Sequence, residues 1–315
     1  MKILSHCAYA SLICIAFLVS DLSLAQSNPQ AGSAQGKLDV EMIEKIIGMK
    51  GKLNNGEYKI TIPQNDLHVD VDGFKIIPAM GLGTWTAFSP MADGAMIMGD
   101  LVLTENDIKP VQKVIIDQGL AITAIHNHFI RNHPNIVFMH IGGAGTTEAM
   151  ATKVKAVLDA IRSSRGGNPA AASADSVSTT IDVSKLDAIL GTKGEWTKGV
   201  YKYTIGRPDV SLRDHGMGVS AYMGFNTWVA WQGTPDHAAV AGDFTMLENE
   251  VEPVVKTLIE NGIEVVALHN HMVHEQPRIF FLHYWGVGNA EQLARGLKAA
   301  LDQTGKSKTG SHSMN

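Results

Sequence analysis

The sequence predicts an α+β fold, a tandem duplication of a mixed α/β unit with mainly antiparallel sheet. The first observation is an internal repeat: an offset of 143 residues carries Thr84-Trp85 onto Thr227-Trp228, Gly99-Asp100 onto Gly242-Asp243 and Glu105-Asn106 onto Glu248-Asn249. The same offset carries Pro110 onto Pro253, Gly119 onto Gly262 and His126-Asn127-His128 onto His269-Asn270-His271, which chance does not explain. The second is that each copy interleaves alternating, β-branched stretches with stretches of helical spacing. The third is composition: 45% of the 315 residues are hydrophobic and 18% are charged, which suits a sizeable core and excludes a disordered chain.

In chain order, residues 1–25 read as a secretory signal peptide. Lys2 gives a positive start, residues 8–19 are largely apolar, and Ser23-Leu24-Ala25 offers small residues for cleavage. The apolar run is shorter than the roughly 20 residues that span a bilayer, so no transmembrane span is expected after cleavage. Both cysteines, Cys7 and Cys14, lie in this segment, so the mature chain has no disulfide, thiolate nucleophile or Cys-rich zinc site. A periplasmic or secreted protein is the expectation. Formal net charge is only -5, without the basic footprint of a nucleic-acid binder.

Repeat 1 covers residues 38–162 and repeat 2 residues 182–303. The Ser-, Ala- and Gly-rich stretch 163–181 reads as a linker, and 304–315 as a polar tail. In repeat 1, residues 42–47 have helical spacing, and 58–62, 74–88 and 95–103 read as strands broken by glycines. A helix follows from about Asn106, with Ile108, Val111 and Ile115 on one stripe and Gly119 placed to end it. Residues 122–130 and 136–141 read as strands and 147–161 as an amphipathic helix. Repeat 2 reproduces the order. Two small domains and one shared sheet about a pseudo-twofold axis both fit this pattern.

The chemistry gathers late in each copy. Alternation along a strand puts His126 and His128 on one face. A five-residue reversal over 131–135 then brings His140 opposite His126 on that face, whereas a loop one residue different would send it to the other side. Repeat 2 offers His269, His271 and His283. Three imidazoles with an open position suit a catalytic divalent transition metal, zinc first, with manganese, iron, copper or nickel as alternatives. Glu105 and Glu248, just before a helix, are candidate catalytic bases on a bound water. The strand residues Asp100 and Asp243 offer a fourth ligand, an acceptor for an imidazole N–H, or the base. Capping and the helix dipole account equally for carboxylates near a helix start.

The histidines without a duplicated counterpart, His68, His133, His215, His237 and His274, read as hydrogen-bonded core residues. Trp85 and Trp228 read as core or pocket walls. Trp231, Tyr284 and Trp285 replace Phe88, Ile141 and Gly142 in repeat 2; they point to an apolar or sugar-like ligand there, or to different packing. Asn127 and Asn270 face away from the imidazoles and satisfy backbone groups.

At these residues the sequence resembles a family. The HNH-x5-P-x5-H spacing in both copies, with the upstream Gly-Asp and Glu-Asn pairs, is similar to the bacterial LppY/LpqO lipoprotein family, secreted proteins built around a domain of unknown function. The resemblance spans both copies and carries no established reaction, and this chain departs from lipoprotein members in lacking a convincing lipidation cysteine. Contiguous His-Asn-His is not the dispersed nuclease motif of the same letters.

The expected function is a two-repeat protein with a His-rich site in each copy, a divalent-metal-dependent hydrolase of a cell-envelope or extracellular small molecule. One alternative is a non-catalytic periplasmic metal- or anion-binding protein. Another is a bicupin-like metalloprotein, because His269, His271 and Glu275 imitate a cupin spacing; Asn132 stands at the Glu position in repeat 1.

Overall fold

The computed structural model describes residues 36–167, 173 and 175–305, which belong to one compact unit. The signal-peptide reading, most of the tail and part of the linker lie outside the described residues. Repeat 1 begins with α1 (Val40–Ile47), capped by Asp39 and ended by the left-handed Gly48. Its strands are β1 (Lys52–Asn54), β2 (Glu57–Pro63), β3 (Val69–Val71), β4 (Phe74–Ile76), β5 (Gly83–Met91) and β6 (Gly94–Thr104). Then come α2 (Glu105–Asp117), β7 (Ala121–His126), β8 (Asn132–His133), β9 (Ile136–Gly145) and α3 (Thr147–Arg165).

Repeat 2 follows the same plan. It comprises α4 (Val183–Leu190), β10 (Glu195–Thr197), β11 (Val200–Gly206), β12 (Arg213–Asp214), β13 (Met217–Gly218), β14 (Asn226–Gly233) and β15 (Ala238–Leu247). It closes with α5 (Glu248–Glu260), β16 (Glu264–His269), β17 (Glu275–Gln276), β18 (Ile279–Gly288) and α6 (Ala290–Leu301).

Each repeat builds its own six-stranded antiparallel sheet, ordered β1-β2-β5-β6-β9-β7 in repeat 1 and β10-β11-β14-β15-β18-β16 in repeat 2. The predicted α+β class and duplication therefore hold, while the shared-sheet option does not. One face of the first sheet is covered by helices: Tyr58, Ile60, Ile97, Leu101 and Met139 pack with Ile43, Val111, Ile115, Val154 and Leu158. Repeat 2 does likewise through Val229, Val240, Phe244, Leu186, Val254 and Leu297. The opposite faces meet each other. Val102 and Phe138 cluster with Ala230, Ala241 and Trp285, and Ala87 and Met98 with Met223 and Phe281. The result is four layers, helix–sheet–sheet–helix, with the pseudo-twofold axis between the sheets. Helices on the outer faces are not the plan of a jelly roll, so the bicupin alternative falls.

Local differences from the sequence reading have physical causes. The strand expected over 122–130 stops at His126, and α3 continues through Arg165, three residues into the expected linker. That extension is held because Arg165 reaches the buried Asp107 carboxylate at 2.8 Å and the Val102 carbonyl at 2.7 Å. Repeat 2 makes the same ion pair from another place: Arg207, on the loop after β11, binds Glu250 at 2.8 Å and the Thr245 carbonyl at 2.8 Å. Trp231, Tyr284 and Trp285 are buried and pack, settling those aromatics as core. The five unduplicated histidines are exposed rather than in the core, with His68 3.2 Å from Asp175.

Candidate metal centre

Register fixes the site. On the inward face of the first sheet, Thr61 pairs with Trp85, Trp85 with Asp100, Asp100 with His140 and His140 with Ala124, giving one row across five strands' width. The second sheet repeats it as Thr204, Trp228, Asp243, His283 and Ala267. Because side chains alternate along a strand, each row looks away from its helices and toward the other sheet.

The reversal between β7 and β9 is nine residues long, with β8 inside it pairing to β3. His126 therefore faces Phe138 rather than His140. A two-residue change of register preserves the face, so His140 still points with His126. His128 lies past the strand end and is held by stacking on Phe138, ring centroids 3.4 Å apart; His271 stacks on Phe281 at 3.3 Å.

The two expected sites are one. His126 stacks on His269 at 3.8 Å, His128 meets His283 at 3.9 Å and His140 meets His271 at 4.0 Å, each pair formed across the pseudo-twofold axis. Donor atoms within 4.8 Å of one another form three groups: His126, His269 and His283; His140, His269 and His271; and Asp100, His126 and His140. Sequence reasoning treated the copies separately, and nothing in one copy's sequence reveals that the other's imidazoles enter its cluster.

The electrostatics single the cluster out. Burial holds all six imidazoles well below the usual histidine range, that of His283 at about 3, and mutual repulsion adds to this for most of them. Burial pushes Asp100 and Asp243 well above the usual carboxylate range. The six rings are thus neutral, and the Nε2 of every one lacks a hydrogen-bond partner. His140 and His283 hydrogen-bond through the other side of the ring to the Gly99 and Gly242 carbonyl oxygens, the latter at 3.1 Å from Nδ1. A carbonyl accepts only from an Nδ1–H, which leaves Nε2 as a free lone pair. The Asp100 carboxylate lies 3.7 Å from His128 Nε2 and 4.0 Å from His140 Nε2, and Asp243 lies 3.6 Å from His271 Nε2. These gaps are too long for hydrogen bonds. An ion about 2.0–2.2 Å from each donor spans them, so the donor set fits a divalent transition metal.

A cavity of about 350 Å³ opens onto the cluster, lined by Asp100, His128, His140, Asp243, His271 and His283 together with Trp85, Trp228, Lys59 and Lys202. The tryptophans are its walls, one of the two roles expected. Gly81 and Gly224 end equivalent 3-10 turns against these walls at φ +105° and +100°. A Cβ on Gly81 would sit 3.0 Å from Trp228 and 3.3 Å from His128, so Gly81→Ala combines backbone strain with a clash. That substitution is expected to lower stability by about 1–3 kcal/mol in a denaturant titration. Gly48→Ala, at φ +75° with open space around it, serves as the control for strain without the clash.

Glu105 and Glu248 are not brought to the cluster. Both are exposed at the first residue of α2 and α5, and Glu105 accepts a hydrogen bond from Asn135 at 2.8 Å. The acids that reach the cavity are Asp100 and Asp243. Glu275, the cupin-like glutamate, accepts from the Ile279 backbone N–H, the role Asn132 plays for Ile136, and is a loop brace. Asn270 donates to the Ile279 carbonyl, as a backbone-satisfying role requires. Sequence reasoning missed Lys59, Lys202, Gly81 and Gly224. All four obey the 143-residue offset, the signal that marked the histidines.

The sequence matches a family described as a Domain of Unknown Function (DUF1259) over residues 41–160 and again over 184–303. No curated protein matches it with significance. Among solved structures, the chain is similar to EtuB from Clostridium kluyveri at 8% identity, covering 80% of this chain and 88% of that one, with a TM-score of 0.18. It is also similar to the trimeric bacterial microcompartment shell protein PduB at 10% identity, covering 81% and 90%, with a TM-score of 0.20. Scores this low establish no common fold.

Proposed function

The chain belongs to the Domain of Unknown Function (DUF1259) family, in two tandem copies, and from that premise we propose that it is an exported, metal-dependent hydrolase of a small extracellular or cell-envelope molecule. Within the family, the histidine spacing supports a kinship with the LppY/LpqO proteins. One observation carries the metal reading: six buried, neutral imidazoles from both copies converge with every Nε2 unpartnered. A buried polar atom without a partner is costly unless a ligand satisfies it.

A bound divalent ion supplies Lewis acidity and lowers the pKa of a water toward neutrality. The residues divide the remaining work. The imidazoles would hold the ion, His140 and His283 being oriented by their carbonyl bonds. Asp100 and Asp243, raised chiefly by burial, stand beside the imidazoles and would serve as the bases toward that water. Among the described residues no helix is long and apolar enough to cross a membrane.

The number of imidazoles favours a second reading. Catalytic zinc commonly keeps three protein ligands and an open position, and six donors suit a non-catalytic metal- or anion-binding protein. Metal analysis of untagged protein tests the shared premise, with at least one equivalent of transition metal expected; less than a tenth, with no uptake on titration, would sink it. D100N/D243N then separates the readings. Retained zinc with lost hydrolysis of p-nitrophenyl acetate or p-nitrophenyl phosphate supports the enzyme, and absence of turnover in the unsubstituted protein supports the binding protein.

A further inference from the structure

Lys59 and Lys202 occupy equivalent positions, line the same cavity and carry no ion pair among the described residues. Each ammonium instead sits over an indole, Lys59 4.3 Å from Trp85 and Lys202 4.3 Å from Trp228; Lys59 is also 4.8 Å from Tyr222. Each indole in turn meets the histidine cluster, Trp85 at 6.5 Å from His140 and Trp228 at 6.2 Å from His283. Ammonium, indole and imidazole thus line up in each half of the cavity.

Lys59 also feels the charge of Lys202. Burial lowers both to about 8, and the charge of Lys202 adds to the effect on Lys59. Glu57, whose charge reaches Lys59, is engaged by Ser89 and Ser220. Two half-buried cations that face one cavity, neither of them in an ion pair among the described residues, suit an anion, since a buried charge requires a partner.

We infer that the cavity binds a small molecule through an oxyanion group, carboxylate or phosphate, clamped between Lys59 and Lys202 with its body between Trp85 and Trp228. This inference rests on the metal-lined cavity of the proposed function and deepens it by naming the ligand class. Lysine serves either oxyanion as a point charge, so chemistry alone does not separate them.

Calorimetric titration of the full chain with inorganic phosphate and, separately, with succinate tests it. Saturable binding of at least one of the two is expected, and the tighter of the pair identifies the source. K59M/K202M should weaken that binding at least ~10-fold, since a hydrogen bond to a charged group contributes about 1.5–3 kcal/mol, while K59R/K202R retains it and zinc uptake is unchanged in both. No binding of either anion, or equal binding by K59M/K202M, overturns the inference. The two readings fail separately: zinc uptake with indifference to both lysines leaves the metal centre standing alone, and lysine-dependent binding without zinc uptake leaves the anion site alone. Thermal unfolding of K59M and K202M singly shows that each variant is folded.

Discussion

Replacing His269 alone by alanine is expected to remove the metal from the whole protein rather than half of it. His269 belongs to two of the three donor groups found among the described residues, and each of those two joins residues of both repeats, whereas the third, Asp100, His126 and His140, lies within repeat 1. Loss of partners that merely orient a ligand costs about 10–100-fold in metal affinity, so loss of a shared ligand should exceed about 100-fold. A zinc competition titration against a chromophoric chelator reads this directly. Half the zinc retained at unchanged affinity would mean two independent centres and would refute the composite one. His126→Ala should match His269→Ala, because the two rings stack 3.8 Å apart on the pseudo-twofold axis.

Metal-free protein should lose stability steeply as pH falls below about 6.5. The six imidazoles have folded-state pKa values lowered from the usual 6.5, His283 to about 3. Below 6.5 the unfolded chain takes up protons that the native state refuses, so stability is fully present above the unfolded value and drains away as pH falls toward the folded one. Asp100 and Asp243 act in the opposite sense, since their raised pKa values make the native state the better proton binder above the usual carboxylate value. Six groups oppose two, and the imidazoles win. Each lagging histidine contributes about 1 kcal/mol between pH 6.5 and 5.5, where the unfolded ring is still titrating, so even a net excess of two removes about 2 kcal/mol over that unit. Urea midpoints of chelator-treated protein at pH 7.5, 6.5 and 5.5 measure it. A flat profile would contradict neutral, buried rings. Bound zinc should steepen the loss, because protons compete with the ion for the same lone pairs.

The sequence carried the class, the duplication and the six histidines because these depend on local alternation and on an offset visible in one dimension. It located Glu105 and Glu248 on equally local grounds, and the fold instead uses them at helix starts, where the dipole favours an acid. Asp100 was in view as a strand residue. Only the pairing of Asp100 with His140 and Trp85 promotes it to the site, and that pairing depends on strand order. The convergence of the copies was illegible for a related reason: it depends on which sheet faces meet, which alternation alone leaves open. Arg165 and Arg207 show the same limit, since two arginines at unrelated sequence positions meet equivalent acids.

One departure from symmetry bears on how a ligand lies. Tyr222 reaches toward Lys59 at one end of the cavity, and the offset places the small Ala79 where its counterpart would stand at the other end. Two identical subunits would present a pair of ends equivalent by twofold rotation, and a lopsided guest would settle either way round with equal probability. Fusing the halves into one polypeptide lets a position diverge without its twin, so the two ends of the cavity need not be alike.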